Sequence, residues 1–269
     1  MVKKLYKHEF AAWLRIVVFF WGATLLTAAF NRLLQAFESD SVSYSMLMGS
    51  GVVLYVIAML CCLAFPTIFG IVRFYRNFFT GEGYLTFTLP ASKAQLLWVK
   101  VSTAVCFSIA SVVVCLLSGC IIMAGEVLRE VSKAFVYIFK DIPVKDAVHL
   151  ILLLAELLLC MLAATIGSHL FYYSCICIGQ LFRKNRVLAA VGVYFGYYLI
   201  SQVLSTIFSI TLVVQLELGW LESLGNFLDA HPLAALHIVI FGSALLSAGI
   251  AAVYWLVCHW VLRRKLNLE

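Results

Sequence analysis

The sequence predicts an all-α membrane protein with six transmembrane helices, an amphipathic helix at the N terminus and interfacial helices on the outer side. Three observations carry this expectation. Hydrophobic residues make up 64% of the 269-residue chain and charged residues 12%, with a mean hydropathy of +1.03, whereas soluble domains carry about 25% charged residues. Apolar runs long enough for the ~30 Å hydrocarbon core recur six times. The basic residues gather beside alternate ends of those runs, as the positive-inside rule requires.

Taken in order, residues 1–15 read as a helix lying in the headgroup plane. Val2, Tyr6, Phe10 and Trp13 share one side, and Lys3, Lys4, Lys7, His8 and Arg15 the other, with Glu9 the one misfit. Spans are expected at about 16–34, 52–72, 101–124, 148–178, 187–214 and 233–260. Pro66 should kink the second. Between the third and fourth, residues 126–142 alternate as a second interfacial helix: Leu128, Val131 and Phe135 project on one side, Arg129, Glu130 and Lys133 on the other, and Pro143 ends it. The loop 215–232, with Glu217, Trp220, Glu222 and Asp229, is apolar enough for short helices at the membrane surface. Both outer segments, 125–146 and 215–232, are expected to be extracellular.

Fourteen of the nineteen basic residues fall in the segments this topology makes cytoplasmic, accompanied there by only Glu9, Glu82 and Glu269. Both termini are therefore expected in the cytoplasm of a cell whose plasma membrane holds the protein, with residues 1–269 forming a single membrane domain. The net charge of +6 sits beside spans rather than on a soluble face, so no nucleic-acid partner is expected, only membrane lipid. The basic start could imitate a signal peptide, but its basic region is long, and an uncleaved first helix is expected. Nine cysteines lie in or at the edge of apolar runs and read as small packing residues, not as disulfides or a metal site.

Enzyme chemistry finds no support in the motifs. There is no Gly-x-x-x-x-Gly-Lys-Ser/Thr loop and no Gly-x-Ser-x-Gly elbow, and the His8-Glu9 pair lacks a second histidine at position 12. The longest polar interruption is Arg73–Lys100. It carries Arg73, Arg76, Lys93 and Lys100, a Gly81-Glu82-Gly83 turn, an extended Tyr84–Leu89 piece, and Pro90-Ala91-Ser92 opening the next helix. Ser92 and Gln95 there form a capping-box pattern. Its aromatic residues (Phe74, Tyr75, Phe78, Phe79, Tyr84 and Phe87) need a surface to cover them.

This loop resembles the cytoplasmic loop of type-2 ATP-binding-cassette exporter permeases, which lies between spans two and three. Arg73-x-x-Arg76, Glu82-Gly83, Pro90-x-Ser92 and Lys100 fall on that family's pattern, with Val99 where Gly is usual. The resemblance implies that residues 1–15 form an N-terminal elbow helix and that residues 73–100 seat a coupling helix in a separate ATPase subunit. It also implies two ATPase copies per assembly, a second permease, identical or homologous, and ATP with Mg held on the partner, leaving no cofactor in this chain. Arg73, Arg76 and Glu82 would then form the charged rim of the ATPase contact, and Phe78, Phe79 and Tyr84, with Gly83 in the turn, its apolar anchor.

Within the spans, Glu156 and His169 are ionisable and stand thirteen residues apart, roughly 20 Å along a helix. Glu156 could pair across helices, face a hydrated cavity or sit near the interface, while His169 suits a helix–helix hydrogen bond. Tyr194, Tyr198, Ser201, Gln202, Ser205 and Ser209 share one face of the fifth span. That stripe either lines a substrate path or packs on neighbouring helices; the resemblance favours a path for an exported peptide, lipid or drug-like amphiphile. Two other readings remain open at this level: a membrane scaffold or sensor subunit without a path of its own, and an ion-coupled carrier using Glu156.

Overall fold

The computed structural model describes residues 2–37, 41–81, 83, 87–88, 90–140, 144–182, 184–219, 225–226 and 230–264. Of residues 126–127, 134–135, 138–140, 144–146, 216–217 and 264 it describes the backbone alone. Glu38, Asp40, Glu82, Tyr84, Asp141, Pro143, Arg183, Trp220, Glu222 and Asp229 lie outside the described residues.

Among the described residues there are seven bounded helices and no strand: α1 (Val2–Ala36), α2 (Val42–Phe79), α3 (Lys93–Ile122), α4 (Glu126–Lys140), α5 (Val144–Gly179), α6 (Arg186–Glu217) and α7 (Pro232–Arg264). Six of them, all except α4, are long and apolar enough to cross a membrane, and the protein is a multi-pass membrane protein. At 1.5 Å per residue, the 30 to 38 residues of α1 to α3 are roughly 45–57 Å long. They therefore extend several turns beyond a ~30 Å hydrocarbon layer, and those turns carry their charges.

The contacts group the chain into two units, Met1–Pro143 and Val144–Glu269. In the first, α1, α2 and α3 pack pairwise. α1 is unbroken from Val2 to Ala36 rather than divided at residue 15. The face formed by Tyr6, Phe10 and Trp13 packs on α3: Trp13 stacks on Phe107 at 5.1 Å and meets Phe69 edge-on at 4.9 Å, and Phe10 lies 5.2 Å from Phe107. α2 likewise runs through the buried Pro66 without interruption.

Helices immersed in lipid gain little from burying apolar area, so their register depends on packing and on hydrogen bonds between helices. The first unit has a series of them. Tyr6 OH lies 2.6 Å from Ser102 Oγ, Trp21 Nε1 donates to Ser111 Oγ at 2.9 Å, and Tyr55 OH lies 2.9 Å from Ser118 Oγ. Thr24 Oγ1 donates to Ala58 O at 3.2 Å, and Asn31 Nδ2 to Gly51 O at 2.8 Å. The last bond requires a glycine, because a Cβ at Gly51 would stand 2.9 Å from Asn31 Oδ1 and 3.3 Å from Leu34 Cδ1.

In the second unit α5 packs along α7 and also against α6. The α5–α7 seam is built from small residues. Gly167 faces Ala251 and the Ser247 carbonyl, and Ser243, Ser247 and Ala251 recur at every fourth position of α7. That spacing lets two helix backbones approach closely in a membrane. At the α5–α6 turn a Cβ on Gly179 would come within 2.6 Å of Ala190, and Asn185 takes φ 52°, a conformation asparagine tolerates better than most residues.

The amphipathic helix expected over 126–142 is α4. Lys133 Nζ pairs with Glu130 Oε1 at 2.7 Å on its polar side, and Val131, Val136 and Tyr137 are exposed.

The α1–α2 contact gives a direct test. Gly51→Val should separate the two helices and lower stability by about 1–3 kcal/mol, the usual cost of overpacking. Gly49→Ala, where an added Cβ meets nothing within 4 Å, should leave it unchanged or slightly raised. Thermal denaturation of the detergent-solubilised pair of variants measures the contrast.

Candidate functional site

At the basic end of the first unit all three long helices converge on one carboxylate. Glu9 lies in the third turn of α1, on the same side as Tyr6 and Trp13, and is 4% exposed. Arg73 Nε, near the end of α2, donates to Glu9 Oε2 at 2.6 Å. Lys100 Nζ, in the third turn of α3, pairs with Glu9 Oε1. With the Asn77 amide oriented to suit its surroundings, its oxygen accepts from Lys100 Nζ at 2.6 Å and its nitrogen donates to Arg73 O at 3.0 Å. Arg73 also rests over the Phe69 ring at 6.0 Å.

The cluster holds two cations and one anion, with Lys100 only 7% exposed. Removing charges from water is costly, so such a group adds little net stability, but deleting one member leaves the others uncompensated. Its physical effect is to fix register. A shift of α1 by one residue, about 1.5 Å along its axis, would break contacts to both neighbouring helices at once.

The chain between α2 and α3 starts and ends at this cluster. Thr80 Oγ1 donates to Arg76 O at 2.6 Å, and Gly83 N to Thr80 O at 2.7 Å. Ser92 and Gln95 close the capping box expected of them: Gln95 N donates to Ser92 Oγ, and Ser92 N to Gln95 Oε1. Phe87 packs 5.7 Å from Phe78, and Lys93 Nζ lies 5.4 Å from the Phe87 ring. Of the Tyr84–Leu89 piece expected to be extended, Phe87 and Thr88 are the described positions, and they have helical and turn backbone.

The seven residues expected to contact an ATPase are thus distributed unevenly. Arg76 is exposed, Phe79 half-buried and Gly83 buried, while Arg73 is turned to Glu9. Phe78, expected as an outward anchor, is fully buried with Phe74. The reason is local: Phe74, Phe78 and Phe87 are close enough to cover one another, so the loop supplies part of its own apolar cover. Glu82 and Tyr84 lie outside the described residues.

In the second unit the expected polar stripe divides. Tyr194 belongs to the α5–α6 contact, 6.1 Å from Tyr172 and 5.8 Å from Phe171. Tyr198 is 56% exposed, Ser201 is half-buried, and Gln202, Ser205 and Ser209 are exposed. A small cleft of about 240 Å³ opens one position away from the stripe, lined among others by Gly167, Ser168, Phe171, Tyr197, Ser247 and Tyr254.

Glu156 pairs across helices. Its Oε2 lies 2.9 Å from Nδ1 of His237 on α7, and His237 Nε2 lies 3.2 Å from Nδ1 of His149 on α5. His169 is buried, with its ring 6.4 Å from that of Tyr173. Among the described residues no three His, Cys, Asp or Glu side chains converge to hold a metal ion.

Sequence reasoning missed three of these residues as site members: Glu9, His149 and His237. Glu9 did carry a signal, as the lone acid on the apolar side of a basic amphipathic helix. His149 and Glu156 carried another, seven residues apart and so on one helical face.

Glu9→Gln should leave the buried Lys100 and the half-buried Arg73 without their anion and cost about 3 kcal/mol or more. Replacing the group together, as Glu9→Leu, Arg73→Met and Lys100→Met, should recover most of that loss. Unfolding midpoints of the two variants against wild type measure it. Comparison of the chain with protein-family models, curated proteins and solved structures returned no match.

Proposed function

We propose that this chain is the membrane-spanning permease subunit of an ATP-binding-cassette exporter, driven by a separate ATPase through the connection between α2 and α3. The observation that carries the reading is the Glu9–Arg73–Lys100 cluster, which ties both flanks of that connection to α1. A motor subunit can move membrane helices only through a contact that does not yield. Here the contact would be backed by the capping box, by the Phe74–Phe78–Phe87 packing and by a three-way ionic joint.

In this mechanism the basic end faces the cytoplasm. ATP and Mg bind the two ATPase copies, whose closure displaces the connection, and α1, α2 and α3 move as one body. Arg76 and Phe79, with Glu82 and Tyr84, form the contact with the ATPase. Arg73, Phe78 and Gly83 act behind it as its support. A second permease, identical or homologous, completes the cavity for an amphipathic substrate. The stripe of Tyr198, Ser201, Gln202 and Ser205 on α6 supplies polar groups for that cavity or for the joint with the second permease.

Affinity purification from native membranes tests the assignment. Wild-type protein should bring down, in fixed ratio, an ATPase subunit bearing a nucleotide-binding loop. Glu82→Lys with Tyr84→Ala should reduce its recovery by roughly tenfold or more, as expected when interface anchors are removed, with membrane insertion unchanged. An ATPase recovered equally with the double variant, or none recovered with wild type, refutes the reading.

A further inference from the structure

The second unit contains a line of three titratable side chains that the ATPase-driven reading does not use. His149 and Glu156 lie on one face of α5, two turns or about 10 Å apart. His237 of α7 sits between them, 3.2 Å from His149 and 2.9 Å from Glu156. His149 is exposed, whereas the side chains of His237 and Glu156 are only 19% and 22% exposed. Glu156 stands nine residues inside Ala147, the first residue of the apolar span, roughly 13 Å along the axis.

Among the described residues, the helix stretches around the line hold few other titratable groups. From 147 to 168, α5 carries no titratable residue except His149, Glu156 and Cys160, and from 232 to 253, α7 carries only His237. The adjoining stretch of α6, 199–215, carries none. Cys160 is engaged with Ser243 Oγ at 3.4 Å. His231, just before α7, is exposed. The side chains of Lys145, Asp146 and Glu217 lie outside the described residues.

We propose that His149, His237 and Glu156 form a proton entry line that loads Glu156 from the end of the unit where α5 and α7 begin. An imidazole can relay a proton because one ring nitrogen donates as the other accepts. The step starts with His149 as imidazolium, His237 neutral with its proton on Nδ1, and Glu156 ionised. His149 Nδ1 passes its proton to His237 Nε2, and His237 Nδ1 passes its own to Glu156 Oε2. The products are neutral His149, neutral His237 with its proton now on Nε2, and the Glu156 carboxylic acid. Two opposite charges vanish and no atom is left over, so the loaded line suits an apolar medium, where isolated charges are costly. Reloading requires the His237 ring to turn over or the proton to return by the same route.

Infrared difference spectroscopy after an acid pH jump tests this on the full chain in liposomes, with the proton as the probe. No partner subunit is needed, so the result is separable from the fate of the ATPase reading. In wild type a protonated-carboxyl stretch should rise that is absent in Glu156→Gln. His149→Ala, at the exposed mouth, should slow its rise by roughly tenfold or more while leaving its final amplitude unchanged, and free imidazole should restore the rate. His237→Gln should be slowed similarly, without rescue; if it does not fold, His149→Ala decides alone. The proposal is overturned if wild type shows no such band, if Glu156→Gln retains it, or if His149→Ala rises as fast as wild type. A slow His149→Ala that imidazole does not rescue overturns it as well.

Discussion

One carboxylate sets the register of the first three membrane helices. Lipid solvates any apolar face equally well, so side-chain hydrophobicity alone lets α1, α2 and α3 slide along one another. The Glu9 carboxylate does not, because it meets Arg73 from α2 and Lys100 from α3 at the same time. Its net energy is small, since both cations also gave up hydration. Its effect is large in the other direction: every misregistered arrangement leaves a charge without a counterion.

The cross-helix hydrogen bonds extend that constraint away from the charged end. Tyr6–Ser102, Trp21–Ser111 and Tyr55–Ser118 fix α3 against its two neighbours, and Thr24–Ala58 and Asn31–Gly51 fix α1 against α2. Each contributes ~0.6 kcal/mol on average in a membrane, a few kcal/mol together. The second unit reaches specificity by another route. Its α5–α7 seam relies on close backbone approach at Gly167, Ser247 and Ala251, with the His149–His237–Glu156 line at one end. The first unit is therefore specified mainly by side chains that reach across, and the second adds a seam of small residues to such contacts.

Features encoded by neighbours in sequence were legible, and those encoded by distant partners were not. The six apolar spans follow from run length, and the Ser92–Gln95 capping box from residues three apart. Residues 2–15 and the span that follows form one continuous helix, because a change of amphipathicity does not interrupt backbone hydrogen bonds, and Phe10 and Trp13 of its first turns pack on α3. Glu9 looked like a misfit because its partners lie 64 and 91 residues away. Phe78 and Phe79 are equally apolar, but Phe78 packs on both Phe74 and Phe87 and is the buried ring, a difference set by a partner nine residues along the chain.

The α6 stripe shows how far hydroxyl residues can be trusted as signs of a polar surface. Ser201 donates to Tyr198 O, Thr206 to Gln202 O and Thr211 to Ile207 O. A serine or threonine in a membrane helix can thus satisfy its hydroxyl on the preceding turn and face lipid at little cost. Counting such residues overstates the polarity of the face. Gln202 is different, because its amide offers two donors and one acceptor that a single carbonyl of its own helix does not satisfy. The Tyr198 phenol likewise reaches outward from an exposed position. The need for a polar neighbour on this face therefore rests on Tyr198 and Gln202, and the surrounding hydroxyls accommodate whatever surface meets those two.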